Sequence, residues 1–295
     1  MLSGSTVLRN EMEQHIEALP VLRIVVANLM TLDRSDEHYF ENIVRLIGSD
    51  PTFTARLLAV ANSAESAPRS PVTTLAAAIS RIGTMNASNI ILAVGVADVF
   101  VPRDPWEKSL WRHALQVAIL SRSMAIKAQN ADLDPDEVYT CALLHDVGRF
   151  VMFRVAPEEL RSMDEGDWQT PEALVAKEIA FCGMSHAELG ERACRSWKLP
   201  TTIIEVVRDH HKSASVLSSM RVGRVTALIR FADLAMFPST MPGTPGLAEA
   251  DDATIEAVVT AAMPSFLRLT STQLRETLID AEAEAERVCR AIGIN

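Results

Sequence analysis

Only 2 tyrosines and 12 glycines occur in 295 residues, and aromatic residues amount to 5%. Strand formers and turn formers are both scarce, which argues against a fold of many short strands joined by tight turns. Positive charge is short as well: 28 Lys and Arg stand against 38 Asp and Glu, a net charge of −10. That balance opposes general attraction to phosphate backbones, so no nucleic-acid partner is expected. The densest basic stretch, Arg221, Arg224 and Arg230, does not keep one helical face and reads as a solvated helix. The four cysteines, Cys141, Cys182, Cys194 and Cys289, form no C-x-x-C pair and follow no secretory signal, so a reducing cytosol is expected. The longest apolar stretch, Ile90 to Phe100, is broken by Asp98 and is too short to cross a bilayer. No membrane span is expected.

What remains is a helix-rich composition, 48% apolar and 22% charged, long enough to bury a substantial core. The first dozen residues read as a polar tail, with the helical pattern starting near Glu13. Apolar residues then recur at helical spacing over Val21–Met30 and Phe40–Ile47. Asp50-Pro51 is a helix start, because the Asp side chain can accept an orphan backbone N–H and Pro tolerates the first helical position. Further helices are predicted over Thr74–Ile82, closed by Gly83, over Ala87–Val99, and over Trp106–Ala128 after the interruption by Pro102 and Pro105. Asp134-Pro135-Asp136-Glu137 and Ser185–Glu188 are capping boxes. The first opens a helix carrying LLHDVG, and the second puts His186 in the first turn of a helix running toward Trp197. Leu199-Pro200 opens a helix ending at His210-His211, and Asp233 falls in a helix over Arg224–Met236. Pro238, Pro242, Gly243, Pro245 and Gly246 mark a linker, beyond which Leu274, Leu278, Ala281, Ala285 and Val288 form one apolar stripe, read as docking onto the parent domain in preference to a coiled coil.

Seven histidines occur, and five of them, His113, His145, His186, His210 and His211, fall in the middle of the chain. With Asp146 and Asp233 they form a candidate metal-binding set. Imidazole with carboxylate suits iron, manganese, zinc or nickel, whereas magnesium or calcium would call for oxygen ligands alone. Adjacent helical side chains point about 100° apart, so His145 and Asp146 can serve one ion only at a bent or terminating turn, for which Gly148 is the nearest candidate. Each histidine also has a plainer reading, as a hydrogen-bonded core residue or as positive charge at a helix C-terminus. Asp233, between Phe231 and Leu234, is harder to explain that way, because a carboxylate beside apolar neighbours needs a partner.

The stretch DPTFTARLLAVANSA, from Asp50 to Ala64, resembles the signature of the HDOD family, a D-P turn opening a helix that ends in N-S. Leu19-Pro20, AAISRIG (77–83), LLHDVGR (143–149), SHAELG (185–190) and WKLP (197–200) follow in that family's order, and the likeness covers roughly residues 14 to 235. The resemblance implies an all-α fold with an N-terminal helical part over 14–104 and an HD-like helical core over 105–237, to which the sequence pattern adds a terminal tail over 1–13, a linker over 238–250 and a C-terminal helical extension over 251–295. It also implies a relation to the metal-dependent phosphohydrolases of the HD superfamily, and a regulatory role in signal transduction with protein partners. On an H…HD…D pattern, His113, His145, Asp146 and Asp233 would form a first metal site. His186, His210 and His211 match the additional histidines of HD-GYP phosphodiesterases and would form a second, bridged by Asp146. Arg149 stands where those enzymes commonly have Lys, and their G-Y-P loop is replaced by Lys212-Ser213-Ala214-Ser215.

Three readings follow. One is a regulatory protein with a mono- or dinuclear metal centre that stabilises the core or reports on a ligand. Another is a phosphodiesterase or phosphatase acting on a nucleotide or phosphate ester, with Asp146 and Arg149 in catalytic roles. The third is a metal-free interaction module. No receiver, sensor or output motif accompanies the matched stretch, so the protein is expected to act alone or through contacts in trans, with a homo-oligomer left open.

Overall fold

Asp50, Asp104, Asp134 and Thr170 are each followed by proline, and in the computed structural model each of them caps the start of a helix. The structure describes residues 4–19, 23–63, 71–102, 104–128, 132–164, 170–212, 221–237 and 246–294, and among these it contains helices and no strand. No single helix among them is long and apolar enough to cross a membrane. The residues form two compact units, Pro20–Val101 with Arg290–Asn295, and Met1–Leu19 with Pro102–Cys289.

The smaller unit holds α2 (Ile24–Leu29), α3 (Tyr39–Gly48), α4 (Pro51–Ala61), α5 (Leu75–Ile82) and α6 (Thr84–Val99). Ile43, Ile47, Phe53, Leu57, Ala61, Ile79 and Ile91 make its buried core. Asp50 caps α4 by accepting from the backbone N–H of Thr52 (2.9 Å) and Phe53 (3.4 Å), and Arg23 adds a 2.9 Å bond to its other oxygen. Asn62 explains the N of the N-S signature: its amide donates to Leu58 O and Val72 O and accepts from Val72 N–H, tying the loop after α4 to its last turn. Gly83 has φ of +89°, a conformation that suits glycine, and α5 and α6 turn there by 104°.

The larger unit contains α1 (Gly4–Glu17), α7 (Pro105–Lys127), α8 (Pro135–Leu144), α9 (Val147–Val155), α10 (Pro157–Asp164), α11 (Pro171–Cys182), α12 (His186–Ser196), α13 (Thr201–Asp209), α14 (Arg221–Met236), α15 (Asp252–Ala262) and α16 (Ser271–Ile292, whose last residues group with the smaller unit). The long α7 packs along α8 and α14, and α12 lies against α9 and α13, so the histidine-bearing helices are mutual neighbours. Trp111 of α7 stacks on Phe150 of α9, their ring centroids 4.8 Å apart.

Several expectations change. Residues 4–13 are part of α1 and not a tail. Met12 and Ile16 are buried, Arg9 and Glu13 pair along the helix, and α1 packs on α9, α11 and α12. The overlooked signal is the i, i+4, i+8 series Leu8, Met12, Ile16. The helix expected to carry LLHDVG breaks after Leu144, with Asp146 at φ −99°, ψ 15° starting α9. The bend is therefore at Asp146 itself, and Gly148 lies inside α9. The terminal stripe packs inward through Leu274, Leu278, Ala281 and Ala285, but Cys289, not Val288, continues it. Arg221, Arg224 and Arg230 pair with Glu137, Asp132 and Glu172. The linker at 238–245 and the replacement for the G-Y-P loop at 213–215 lie outside the described residues, while Leu247–Glu249 form a short 3-10 helix.

Candidate metal centre

Helix ends build this site. His145 is the C-cap of α8 and His210 the C-cap of α13, whereas His186 is the first residue of α12. His113 comes from the middle of α7 and Asp233 from α14. Residues up to 120 positions apart thus meet: His113 Nε2 lies 3.1 Å from Asp233 Oδ1. All seven predicted ligands are brought together, and His15 and His38 are not among them.

Asp146 is the centre of the arrangement, and its two oxygens face different histidines. Oδ2 lies 3.9 Å from His113 Nε2 and 3.6 Å from His145 Nε2. Oδ1 lies 3.1 Å from His186 Nε2 and 3.5 Å from His210 Nε2. His186 Nε2 is in turn 3.2 Å from His210 Nε2 and 2.8 Å from His211 Nε2. Asp233 Oδ1 also lies 3.8 Å from His145 Nε2. Two sets of donors result, His113/His145/Asp146 and Asp146/His186/His210/His211, each with its ligand atoms within 4.8 Å of one another. His145 and His210 are fully buried, and His113, Asp146, His186 and Asp233 nearly so.

Proton positions test whether an ion fits. His145 Nδ1 lies 2.6 Å from Ala142 O and His210 Nδ1 lies 2.7 Å from Val207 O. A carbonyl can only accept, so both Nδ1 atoms carry the proton and both neutral rings present a bare lone pair at Nε2. His186 Nδ1 is likewise engaged, 2.6 Å from Glu178 Oε2. With both rings neutral, His186 and His210 therefore turn two lone pairs toward each other at 3.2 Å, and His145 Nε2 is buried with no hydrogen-bond partner among the described residues. Such an arrangement is repulsive unless a cation or an added proton sits between the nitrogens. A metal with bonds of about 2.1 Å separates neighbouring ligands by roughly 3.0–3.4 Å, close to the spacings found here. The residues fit a borderline transition metal.

Charge reinforces that fit. Burial would raise the Asp146 carboxyl, yet His145 and His186 beside it hold it well below the usual range. Asp233 is depressed in the same way by His113 and His145. Burial alone would lower His186, but the Glu178 and Asp146 carboxylates raise it to about 10. His211 is lowered well below the usual value by burial and by the neighbouring His210 and His186. Two buried carboxylate anions thus sit among imidazoles that cannot all be charged.

Glu178 is the site residue that the sequence reading missed. It occupies the buried face of α11 with Leu174 and Cys182, one helical repeat on either side. A carboxylate on an apolar stripe was the available signal, the same argument that singled out Asp233. Arg149 is buried, and its Nε lies 3.7 Å from Glu178 Oε1. Arg230 also supports the site, donating to His211 O (3.2 Å) and Lys212 O at the end of α13.

A family model of the HDOD domain matches residues 19–213, about two thirds of the chain and all of the signature motifs. The chain belongs to the HDOD family. Among solved structures, an HDOD domain protein of unknown function from Geobacter sulfurreducens has a TM-score of 0.72 at 19% identity and covers 96% of this chain and 98% of its own. A candidate phosphohydrolase from Shewanella amazonensis gives 0.66 at 19% identity with the same coverage. A candidate signal transduction protein from Marinobacter aquaeolei gives 0.67 at 16% identity, covering 99% of this chain and 66% of its own. At these identities the likeness establishes the helical HDOD fold. An uncharacterised protein of Treponema pallidum (strain Nichols) is 25% identical over 207 residues, 70% of this chain but 40% of that relative's length. Asp233 lies beyond the matched HDOD region, so the site is completed by a helix outside it.

Proposed function

We propose that this chain is a regulatory HDOD protein whose buried histidine–aspartate cluster holds one or two transition-metal ions. The observation that carries this reading is the convergence of Nε2 lone pairs from His186 and His210 while their Nδ1 atoms are committed elsewhere. His113, His145, Asp146 and Asp233 would hold one ion, and His186, His210 and His211 the other, with Asp146 shared. The cluster ties α7, α8, α12, α13 and α14 together, so occupancy would stabilise the bundle and make its packing responsive to the ion or to a ligand of it. The four cysteines are buried and form no disulfide with one another, which suits a reducing compartment. Partners are proposed to be other proteins of a signalling pathway.

The test is metal analysis of the purified protein with thermal melting before and after chelation. Stoichiometric iron, manganese, zinc or nickel and an earlier melt on stripping are expected. No bound metal together with an unchanged melt overturns the reading in favour of a metal-free module.

A second reading, a phosphodiesterase or phosphatase, draws on one observation, the division of the two Asp146 oxygens between two histidine sets. Paired ions, when bound, supply Lewis acidity toward a phosphate ester and toward water. Asp146 would fix the spacing of the two sets, and the histidines would keep their Nε2 lone pairs directed inward. The S. amazonensis neighbour is named as a candidate phosphohydrolase. Turnover of nucleotides or simple phosphate esters with added manganese or iron, lost in His145→Ala, would support this reading. Absence of any His145-dependent turnover would sink it.

A further inference from the structure

The three pinned histidines do not obtain their acceptors in the same way. His145 and His210 end their helices, where the last carbonyls lack helical partners, and each ring donates to the carbonyl three residues back. His186 begins its helix, where the orphan groups are N–H donors and no free carbonyl lies within its own turn. Its acceptor must come from another element.

We infer that Glu178 is the positioning residue that commits His186 to the metal centre, and that Arg149 holds Glu178 in turn. This rests on the metal reading above. Glu178 Oε2 takes both the His186 backbone N–H at 2.9 Å and the His186 ring Nδ1–H at 2.6 Å. One oxygen thus fixes the first residue of α12 and the rotation of its ring, so that Nε2 is the ring atom turned toward Asp146, His210 and His211. The other oxygen lies 3.7 Å from the Arg149 guanidinium, and both side chains are buried. A carboxylate wholly removed from water needs such a countercharge. Arg149, one residue beyond Gly148 on α9, thereby serves the site from behind His186 and not by contact with a substrate.

The test uses the full chain loaded with zinc or cobalt(II) alone. Glu178→Ala should weaken zinc binding 10- to 100-fold in chelator competition and shift the visible bands of the cobalt form, the range found when a ligand's outer hydrogen-bond partner is removed. Glu178→Gln, whose amide oxygen can still accept both bonds, should recover most of that loss and the native cobalt spectrum. Removing one buried charge can prevent folding, so the double variant Glu178→Met with Arg149→Met, which removes both, serves as the folded form without an acceptor. It should show the same loss as Glu178→Ala. Native affinity and cobalt bands in the double variant, or no recovery by Gln over Ala, overturn the inference. If wild type binds while Asp146→Ala does not, the metal reading still stands. A wild-type protein that binds neither ion overturns both.

Discussion

Replacing Gly148 by Ala should damage the site without touching a ligand. A Cβ on Gly148 would stand 1.9 Å from His186 O and 2.7 Å from Gly190 N, both backbone atoms of α12. An ordinary C···O contact is about 3.3 Å, so α9 and α12 must separate by about 1.4 Å at this point. The backbone of α12 can move only by dragging its packed neighbours, and forced expansion of this kind costs about 3 kcal/mol at the upper end of measured cases. The better helix propensity of Ala returns about 1 kcal/mol. The net loss of about 2 kcal/mol corresponds to a fall of roughly 4–8 °C in Tm by differential scanning calorimetry. The shift also carries His186 away from Asp146, now 3.1 Å distant, whereas metal–ligand distances tolerate only about 0.2 Å. Metal content should fall with Tm. Gly48→Ala is the control, since its Cβ would meet only the Leu75 side chain at an ordinary 3.4 Å. A Gly148→Ala protein with wild-type Tm and full metal content would refute the close crossing of α9 and α12.

Asp50→Ala removes a cap and an ion pair and should cost about 0.5–2 kcal/mol in urea denaturation at pH 7. Burial pushes the Asp50 carboxyl up, but Arg23 and the N–H groups of Thr52 and Phe53 outweigh it and hold the group below the usual range. Its folded pKa being the lower one, the contribution is complete above about pH 4–5 and fades as pH falls through the folded value, so the gap between wild type and variant should narrow at pH 3. Leu278→Ala, at a fully buried position of α16, should cost about 2–5 kcal/mol, while Ile279→Ala next to it, half exposed, should stay within about 0.5 kcal/mol. Equal effects would contradict the inward docking of that stripe. Asp146→Ala, which removes the shared ligand, should abolish metal binding altogether by elemental analysis, whereas His113→Ala should spare the ion held by His186, His210 and His211.

The helices that the sequence reveals are those with a local cause. Asp50-Pro51, Asp134-Pro135 and Ser185 act within one turn, and each caps its helix as expected. α1 escaped because its buried positions, Met12 and Ile16, are embedded in a polar stretch whose packing surface comes from α9, α11 and α12. Thr170-Pro171 offered the same start signal for α11, with Gly183 at φ +73° as its end, and that helix brought Glu178 with it. The seven candidate ligands were legible because only seven histidines occur, and Asp146 stands beside one of them while Asp233 stands among apolar neighbours. Their support was not, because Ala142 O and Val207 O are main-chain carbonyls that any residue type could provide, and the glycine at 148 does not itself name the backbone it meets.

The choice among metal centre, protonated cluster and plain core histidines therefore turns on hydrogen-bond direction, which a list of residue types cannot contain. A core histidine satisfied at both nitrogens needs one donor role and one acceptor role. His210 fills its donor role with Val207 O and then meets Asp146 Oδ1, which can only accept, and His186 Nε2, which can only accept while that ring is neutral. Protonating His186 would supply one, but it would leave His145 Nε2 without a hydrogen bond, its nearest carboxylate oxygens lying 3.6 Å (Asp146) and 3.8 Å (Asp233) away. A divalent ion in each set answers every exposed lone pair at once and balances both carboxylates. On the metal reading proposed above the cluster is a ligand sphere, and its cost as bare polar core would explain why the helices that carry it are held so closely at Gly148 and Glu178.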